Sequence, residues 1–345
     1  MKIMLFGDVH WGSYSSIVRS RGVVFSTRLE NLIQCMDWVE ALATEHKCER
    51  VYGLGDFFDK PTLTAEEITA LKQIDWAENI PHYFIVGNHE VGLDSSSFDS
   101  ARIFDLHENF HVVNYSTLER LTDNKTTLVC IPYRSTWDSL DNDIKSILEE
   151  PRKRGDRLIV LSHNDIKGVQ MGRMVSNTGI SMEYLHDNVY LTVNGHYHNG
   201  ETINDNIINI GNLSGQNFSE DADVYCHRVF ILDTDTIELE QFINPYALNF
   251  YKKDLRKELD ICLKTNYNVL AIQANLRDSN IIEELIKQLS PVAYKVNYVH
   301  DFQKELPATA VEVLIDKDYK EQFAEYMMAI DNSSIVKDEL AVILK

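Results

Sequence analysis

Six short runs of the chain are apolar along nearly their whole length and finish on turn-forming or polar residues. They are KIMLFGD (2–8), RVYGLGD (50–56), HYFIVGN (82–88), TLVCIP (127–132), RLIVLSH (157–163) and VYLTVNGH (189–196). Unbroken apolarity over so short a span predicts strands covered on both faces. Helical periodicity fills some of the gaps. Over 26–46, Leu29, Ile33, Met36, Val39 and Leu42 fall on one face behind the cap-like STRLE, with Glu30 following. A helix over 64–78 opens at Thr64 before AEE, and one over 137–150 stops at Pro151. Strand and helix in alternation predict an α/β fold with helices layered around a central sheet.

Beyond residue 200 the pattern changes. TINDNIINIGNLSG and HRVFILDTDTIELEQF alternate apolar and polar positions, which predicts antiparallel strands closing the sheet. From 265 a new series begins: strand NVLAIQA, helix NIIEELIKQL, strand AYKVNYV, strand AVEVLI and helix YKEQFAEYMMAI. The expected division is a large domain over 1–250 and a small α/β domain over 265–345. Pro245 and the charged run YKKDLRKELD lie in the join. Phe323, Met327 and Ile330 are read as core of the small domain.

Composition narrows the classes. The 345 residues are 44% hydrophobic, ample for a core, and carry a net charge of −20. That charge argues against a protein that simply coats nucleic acid; a DNA substrate needs a local basic groove, a bound cation or a partner chain to offset it. The five cysteines are scattered, as reduced thiols in a cytoplasm are. MKIMLF runs straight into Asp8 without a signal-peptide pattern, and no apolar run nears the ~18 residues that span a bilayer.

The chemistry gathers where the parallel strands end, the place α/β sheets bind ligands. Asp8 and His10 follow the first strand, Asp56 the second, Asn88 and His89 the third, His163 a later one, and His196 and His198 the last. Setting His89 aside, these are two carboxylates, one amide and four imidazoles. That inventory suits two divalent cations sharing one carboxylate, and mixed nitrogen and oxygen donors suit manganese, iron or zinc better than magnesium. Two such ions acidify water and neutralise charge growing on a phosphate. If Asn88 is a ligand, the neighbouring His89 is left to face the substrate and donate a proton to the leaving oxygen. Taken singly, Asp8 reads as a helix cap and His163 as a core histidine; their recurrence at strand ends is what shifts the reading. Asp59 reads as a supporting or turn acid and Asp165 as solvated. His82, His107, His111, His186 and His227 read as structural or surface residues, and the basic run at 152–154 as a solvated face.

D-x-H (8–10), GDxxD (55–59), GNHE (87–90), a lone His163 and GHxH (195–198), in that order, resemble the calcineurin-like metallophosphoesterase superfamily over residues 1 to about 245. The resemblance implies a β-sandwich flanked by helices. It implies one metal on Asp8, His10, Asp56 and His198, a second on Asp56, Asn88, His163 and His196, and His89 as the acid. GDVHWG, GDFFD and NIGNLSGQNFSED are further similar to the SbcD and meiotic-recombination-eleven type of DNA-break nuclease, in a short phage-like form. That implies a two-metal exonuclease and endonuclease for DNA repair, recombination and replication, with Mn2+ foremost and Mg2+, Fe2+ or Zn2+ as alternatives. It implies a capping domain after 265, a homodimer drawn from residues 26–46 and 93–108, an SbcC-type SMC-like ATPase partner, and no membrane. In the loop after the first motif, Tyr14, Arg19 and Arg21 are expected to contact substrate. The competing class is a phosphoprotein phosphatase or another phosphodiesterase. Phosphoprotein phosphatases carry GDxxDRG, whose Arg grips a phosphomonoester, whereas here Lys60-Pro61 follows GDFFD.

Overall fold

The computed structural model describes residues 1–299 except 14–23, 93–94, 122–124, 135–136, 172–173, 221, 259–260 and 266. Tyr14, Arg19 and Arg21, and the strand and helix expected after 300, lie outside the described residues.

The large domain runs β1 (Lys2–Phe6), α1 (Thr27–Glu45), β2 (Arg50–Gly53), α2 (Ala65–Leu71), β3 (His82–Ile85), β4 (Phe110–Val113), β5 (Thr117–Arg120), β6 (Thr126–Ile131), α3 (Trp137–Lys153), β7 (Arg157–Ser162), α4 (Met182–Asn188), β8 (Leu191–Asn194), β9 (Glu201–Thr202), β10 (Ile207–Asn209), β11 (Arg228–Asp233) and β12 (Glu238–Ile243). β13 (Asn249–Asp254) lies within the expected join, ahead of β14 (Asn268–Asn275), α5 (Ser279–Leu289) and β15 (Ala293–Val299) in the stretch expected as the small domain. Two six-stranded sheets form the large domain, in the orders β12-β11-β1-β2-β3-β4 and β9-β10-β8-β7-β6-β5. β1 to β4 run parallel, as do β6, β7, β8 and β10. β11 and β12 extend the first sheet antiparallel, while β5 and β9 edge the second antiparallel.

The sheets stack face to face. Alternation along β1 shows how: Ile3 and Leu5 join Leu128, Ile159, Leu161 and Val193 between the sheets, while Met4 and Phe6 turn outward onto Leu29, Leu32 and Met36 of α1. On the far side, Val129, Leu158 and Val160 pack under Ile144 and Leu148 of α3 and Leu185 of α4. Each such burial stabilises by about 1.5–3 kcal/mol. The result is a sandwich clad in helix on both outer faces, rather than one central sheet. The chain crosses between sheets in the short link from β4 to β5.

Two helices differ from expectation. α2 ends at Leu71 rather than 78, because carboxylates of α1 capture the next backbone donors: Asp75 N donates to Asp37 at 2.9 Å and Ala77 N to Glu40 at 3.0 Å. Pro151 does not stop α3, which runs through it to Lys153. β10, expected as an antiparallel closing strand, instead runs parallel to β8.

The small domain is a parallel sheet, β13-β14-β15, with Ile282 and Ile286 of α5 packed on Tyr251, Leu270 and Ile272. Its first strand, β13, follows the sandwich directly. Gly215 N donates to Leu248 O at 2.9 Å and Leu248 N to Ser214 Oγ at 3.0 Å, pinning the two domains together. Among the described residues, no helix is long and apolar enough to cross a membrane.

Candidate metal centre

Each parallel strand ends one to three residues before a polar group, and the intervening turns are bent sharply. His10, Asp56 and His196 all hold positive φ, at 48°, 48° and 76°. His and Asp tolerate that left-handed region better than bulkier residues. The first two turns are zipped together: Val9 N and His10 N both donate to Asp56 O, at 3.0 and 2.9 Å. The third comes close because Gly87 lacks a side chain; a Cβ there would lie 2.1 Å from Asp56 Oδ1. In the space so freed, His89 N donates to Asp56 Oδ1 at 2.8 Å.

All seven strand-end groups converge. Asp8, His10 and His198 each offer a donor atom within 4.8 Å of the others, and Asp56, His163 and His196 do the same beside them. Asn88 Oδ1 lies 3.2 Å from His163 Nε2 and 3.0 Å from His196 Nδ1. Asp56 Oδ2 lies 3.2 Å from His163 Nε2 and 3.9 Å from His10 Nε2, so Asp56 stands between the two clusters. Asp8, His10, Asp56 and His163 are buried; His196 and His198 are partly so.

The outward ring nitrogens have partners that can only accept. His163 Nδ1 donates to Leu54 O (2.7 Å), His10 Nδ1 to Asp59 Oδ1 (3.1 Å), His196 Nε2 to Asp165 Oδ1 (3.1 Å) and His198 Nδ1 to Glu220 Oε1 (3.2 Å). A neutral imidazole has one N–H. Each inward nitrogen therefore carries its lone pair, and several of these lone pairs face carboxylate or amide oxygens. His10 Nε2 is buried with no hydrogen-bond partner. Acceptors turned toward acceptors are unfavourable unless a cation lies between them, so this donor set fits divalent metal ions.

In the absence of a cation, a proton on His163 compensates the acids instead. Burial alone lowers the His163 pKa, but Asp56 and Asp8 override it and raise it to about 9. Burial works to raise the Asp56 pKa, yet His163 and His10 hold it below the usual carboxylate range. His10, with burial dominant, is lowered. The Glu90 carboxyl is pushed up to about 8 by burial and by Asp56, while accepting from Gly87 N at 2.7 Å and Phe58 N at 3.2 Å. It thereby ties the second motif to the third.

His89 stands at the rim with its side chain 42% exposed, and its Nδ1 donates to Asp59 O at 3.0 Å. Asp59 supports both His10 and His89, as a supporting acid does. Asp165, read as solvated, instead accepts from His196. Glu220, within NIGNLSGQNFSED, carries no sequence signal of its own; its carboxylate is buried behind His198. His227, read as structural or surface, is buried behind Glu220 with Nε2 at 4.0 Å.

Among solved structures, a dimetal phosphatase from Danio rerio is similar at 12% identity over 71% of this chain and 99% of its own, with a TM-score of 0.41. Calcineurin-like phosphoesterase YfkN from Bacillus subtilis is similar at 10% identity over 71% of this chain and 90% of its own, with a TM-score of 0.39. No curated protein matches the chain. Residues 1–200 match the calcineurin-like phosphoesterase family. That span contains all seven clustered side chains, and the chain belongs to the calcineurin-like phosphoesterase family.

Proposed function

We propose that the chain is a two-metal-dependent phosphodiesterase acting on DNA, as exonuclease on duplex ends and endonuclease on single strands. The observation that carries the diester reading is Lys60. At the position where phosphoprotein phosphatases place the Arg that grips a phosphomonoester, Lys60 Nζ is committed to the buried Glu67 carboxylate at 3.0 Å. Neither its geometry nor its engagement reproduces a bidentate fork on a dianion.

Asp8, His10 and His198 would hold one cation and Asn88, His163 and His196 the other, with Asp56 standing between the two groups of side chains. When bound, such ions lower the pKa of water and offset the charge of the phosphate. The chain's own residues do the rest. His10, His163, His196 and His198 keep fixed tautomers through their outward partners. His89 has its Nδ1 engaged by the Asp59 carbonyl, which leaves Nε2 for the substrate. Because its Nδ1–H is held by the Asp59 carbonyl, proton delivery from Nε2 uses the imidazolium, whose charge sits 3.8 Å from Asp59 Oδ1. A His so placed protonates the departing sugar oxygen.

The small domain carries a cleft of about 870 Å³ lined by Phe218, Lys252, Tyr294 and Lys295, with Asp254 beside them. Lysines interleaved with aromatics suit a nucleic-acid strand. The likeness of GDVHWG, GDFFD and NIGNLSGQNFSED to the SbcD type extends the proposal to a homodimer working with an SbcC-type SMC-like ATPase in break processing and recombination. The deciding experiment is Mn2+-dependent digestion of linear duplex DNA beside a small phosphomonoester. Cleavage of DNA is expected. Turnover of the monoester alone would transfer the assignment to the phosphatase class, which the same family membership accommodates.

A further inference from the structure

His196 and His198 leave one tight turn with only Tyr197 between them, yet they use opposite ring nitrogens. His196 points Nδ1 at Asn88 Oδ1, 3.0 Å away, while His198 has its Nδ1 engaged by Glu220 and keeps Nε2 for the Asp8–His10 side. A backbone turn does not choose a tautomer; the acceptor on the far nitrogen does. We propose that Glu220 and Asp165 are positioning residues, one for each cation, so that the affinities of the two metal positions are set separately. The inference rests on the two-metal reading above.

The two supports are built independently. Glu220 is 3% exposed, and its Oε1 accepts from both His198 Nδ1 and Asn212 Nδ2 (3.0 Å) while Oε2 accepts from Gln216 N (2.9 Å). Asn212 N in turn donates to His198 O at 3.1 Å, closing a ring around that imidazole. Asp165 belongs to another loop. Its Oδ1 faces His196 Nε2, and its backbone carbonyl accepts from Ile180 N at 2.9 Å. Tyr197 OH accepts from Ile166 N at 2.8 Å and steadies the same loop. The two networks share no residue other than the turn itself. With Glu220 replaced by Gln, an amide NH2 must face either His198 and Asn212 or Gln216 N, all of them donors, so His198 is left with no acceptor or with a neutral amide oxygen in a mismatched network. With Asp165 replaced by Ala, His196 loses its outward partner and both tautomers become available; Asn keeps an acceptor there.

The test is calorimetric titration of Mn2+ into the full-length, chelator-stripped protein, with electron paramagnetic resonance of the loaded samples and thermal melts beside it. Wild type is expected to bind two ions as a coupled pair. Glu220→Gln and Asp165→Ala are each expected to weaken one ion by about 10–100-fold, leaving the other within about 2-fold of wild type and replacing the coupled spectrum by a single-ion one. Asp165→Asn is expected to restore most of the lost affinity. Two ions at wild-type affinity in a folded variant, or equal loss of both ions, would overturn the assignment. If Glu220→Gln fails to fold, Asp165→Ala against Asp165→Asn decides. A wild type that binds no Mn2+ sinks the two-metal reading as well, a result separate from failure of the variants alone.

Discussion

His89 and His163 are both strand-end histidines, yet one is 42% exposed at the rim and the other fully buried. Their loss should therefore read out differently. His89→Gln is expected to keep both metal ions while kcat falls about 10²–10⁴-fold, the usual worth of a positioned acid; metal content and single-turnover cleavage check this, and an emptied site would contradict it. His163→Ala is expected to lose one ion outright. His163 also fixes a pH dependence. Its folded-state pKa of about 9 lies above the ordinary 6.5, so in chelator-stripped protein its stabilising contribution is complete below pH 6.5 and is lost as pH rises through 9. Metal must displace that proton, so Mn2+ affinity should strengthen over the same interval, with proton release visible as calorimetric heats that vary with the buffer. The seven converging groups were legible because each follows an apolar run directly. Glu220 and Asp165 were not, because their partners lie 22 and 31 residues away along the chain and meet them only through tertiary turns.

Elements carry the next level of control, and Glu67 in α2 shows how. Its buried carboxylate closes a capping box with Thr64 and also accepts from Ser13 N (2.9 Å), Ser13 Oγ (3.1 Å) and Lys60 Nζ (3.0 Å). One helix start thus fastens the loops after the first and second motifs. Glu67→Ala strands several of those donors, at about 1–3 kcal/mol for each one left buried. We expect a lower urea midpoint together with weaker Mn2+ binding, because Asp8 and His10 sit on the loop released. Loss of stability with unchanged metal affinity would show that the fastening does not reach the site. The start of α2 was readable from Thr64-Ala-Glu-Glu, its end was not. The donors that would have continued it go to Asp37 and Glu40, and no local pattern announces a competitor on another helix. The strands were readable as strands, but not their division into two sheets. An apolar run looks the same whichever neighbour covers it, and the crossing from β4 to β5 is three residues of ordinary linker.

At the scale of the whole molecule, the charge of −20 sets the terms for any polyanionic substrate. Two divalent ions offset only a small part of it. The lone chain is expected to bind duplex DNA weakly, with a shallow dependence on salt, and the proposed ATPase partner should supply both affinity and slope. A titration of binding against salt, with and without that partner, checks this; a steep slope for the chain alone would contradict it. The junction between domains bears on how the molecule can be dissected. Among the described residues β13 pairs only with β14; Tyr251 packs under α5, Phe250 packs with Phe218 on the other face, and Leu248 stays bonded to the sandwich. A chain cut after Lys264 would keep β13 with the edge that faced β14 bare and Tyr251 uncovered. Such an edge recruits strands from other molecules, so the shortened protein should come out of solution as aggregate where the full chain does not. Anyone seeking a minimal catalytic fragment must either keep the small sheet or remove its first strand with it.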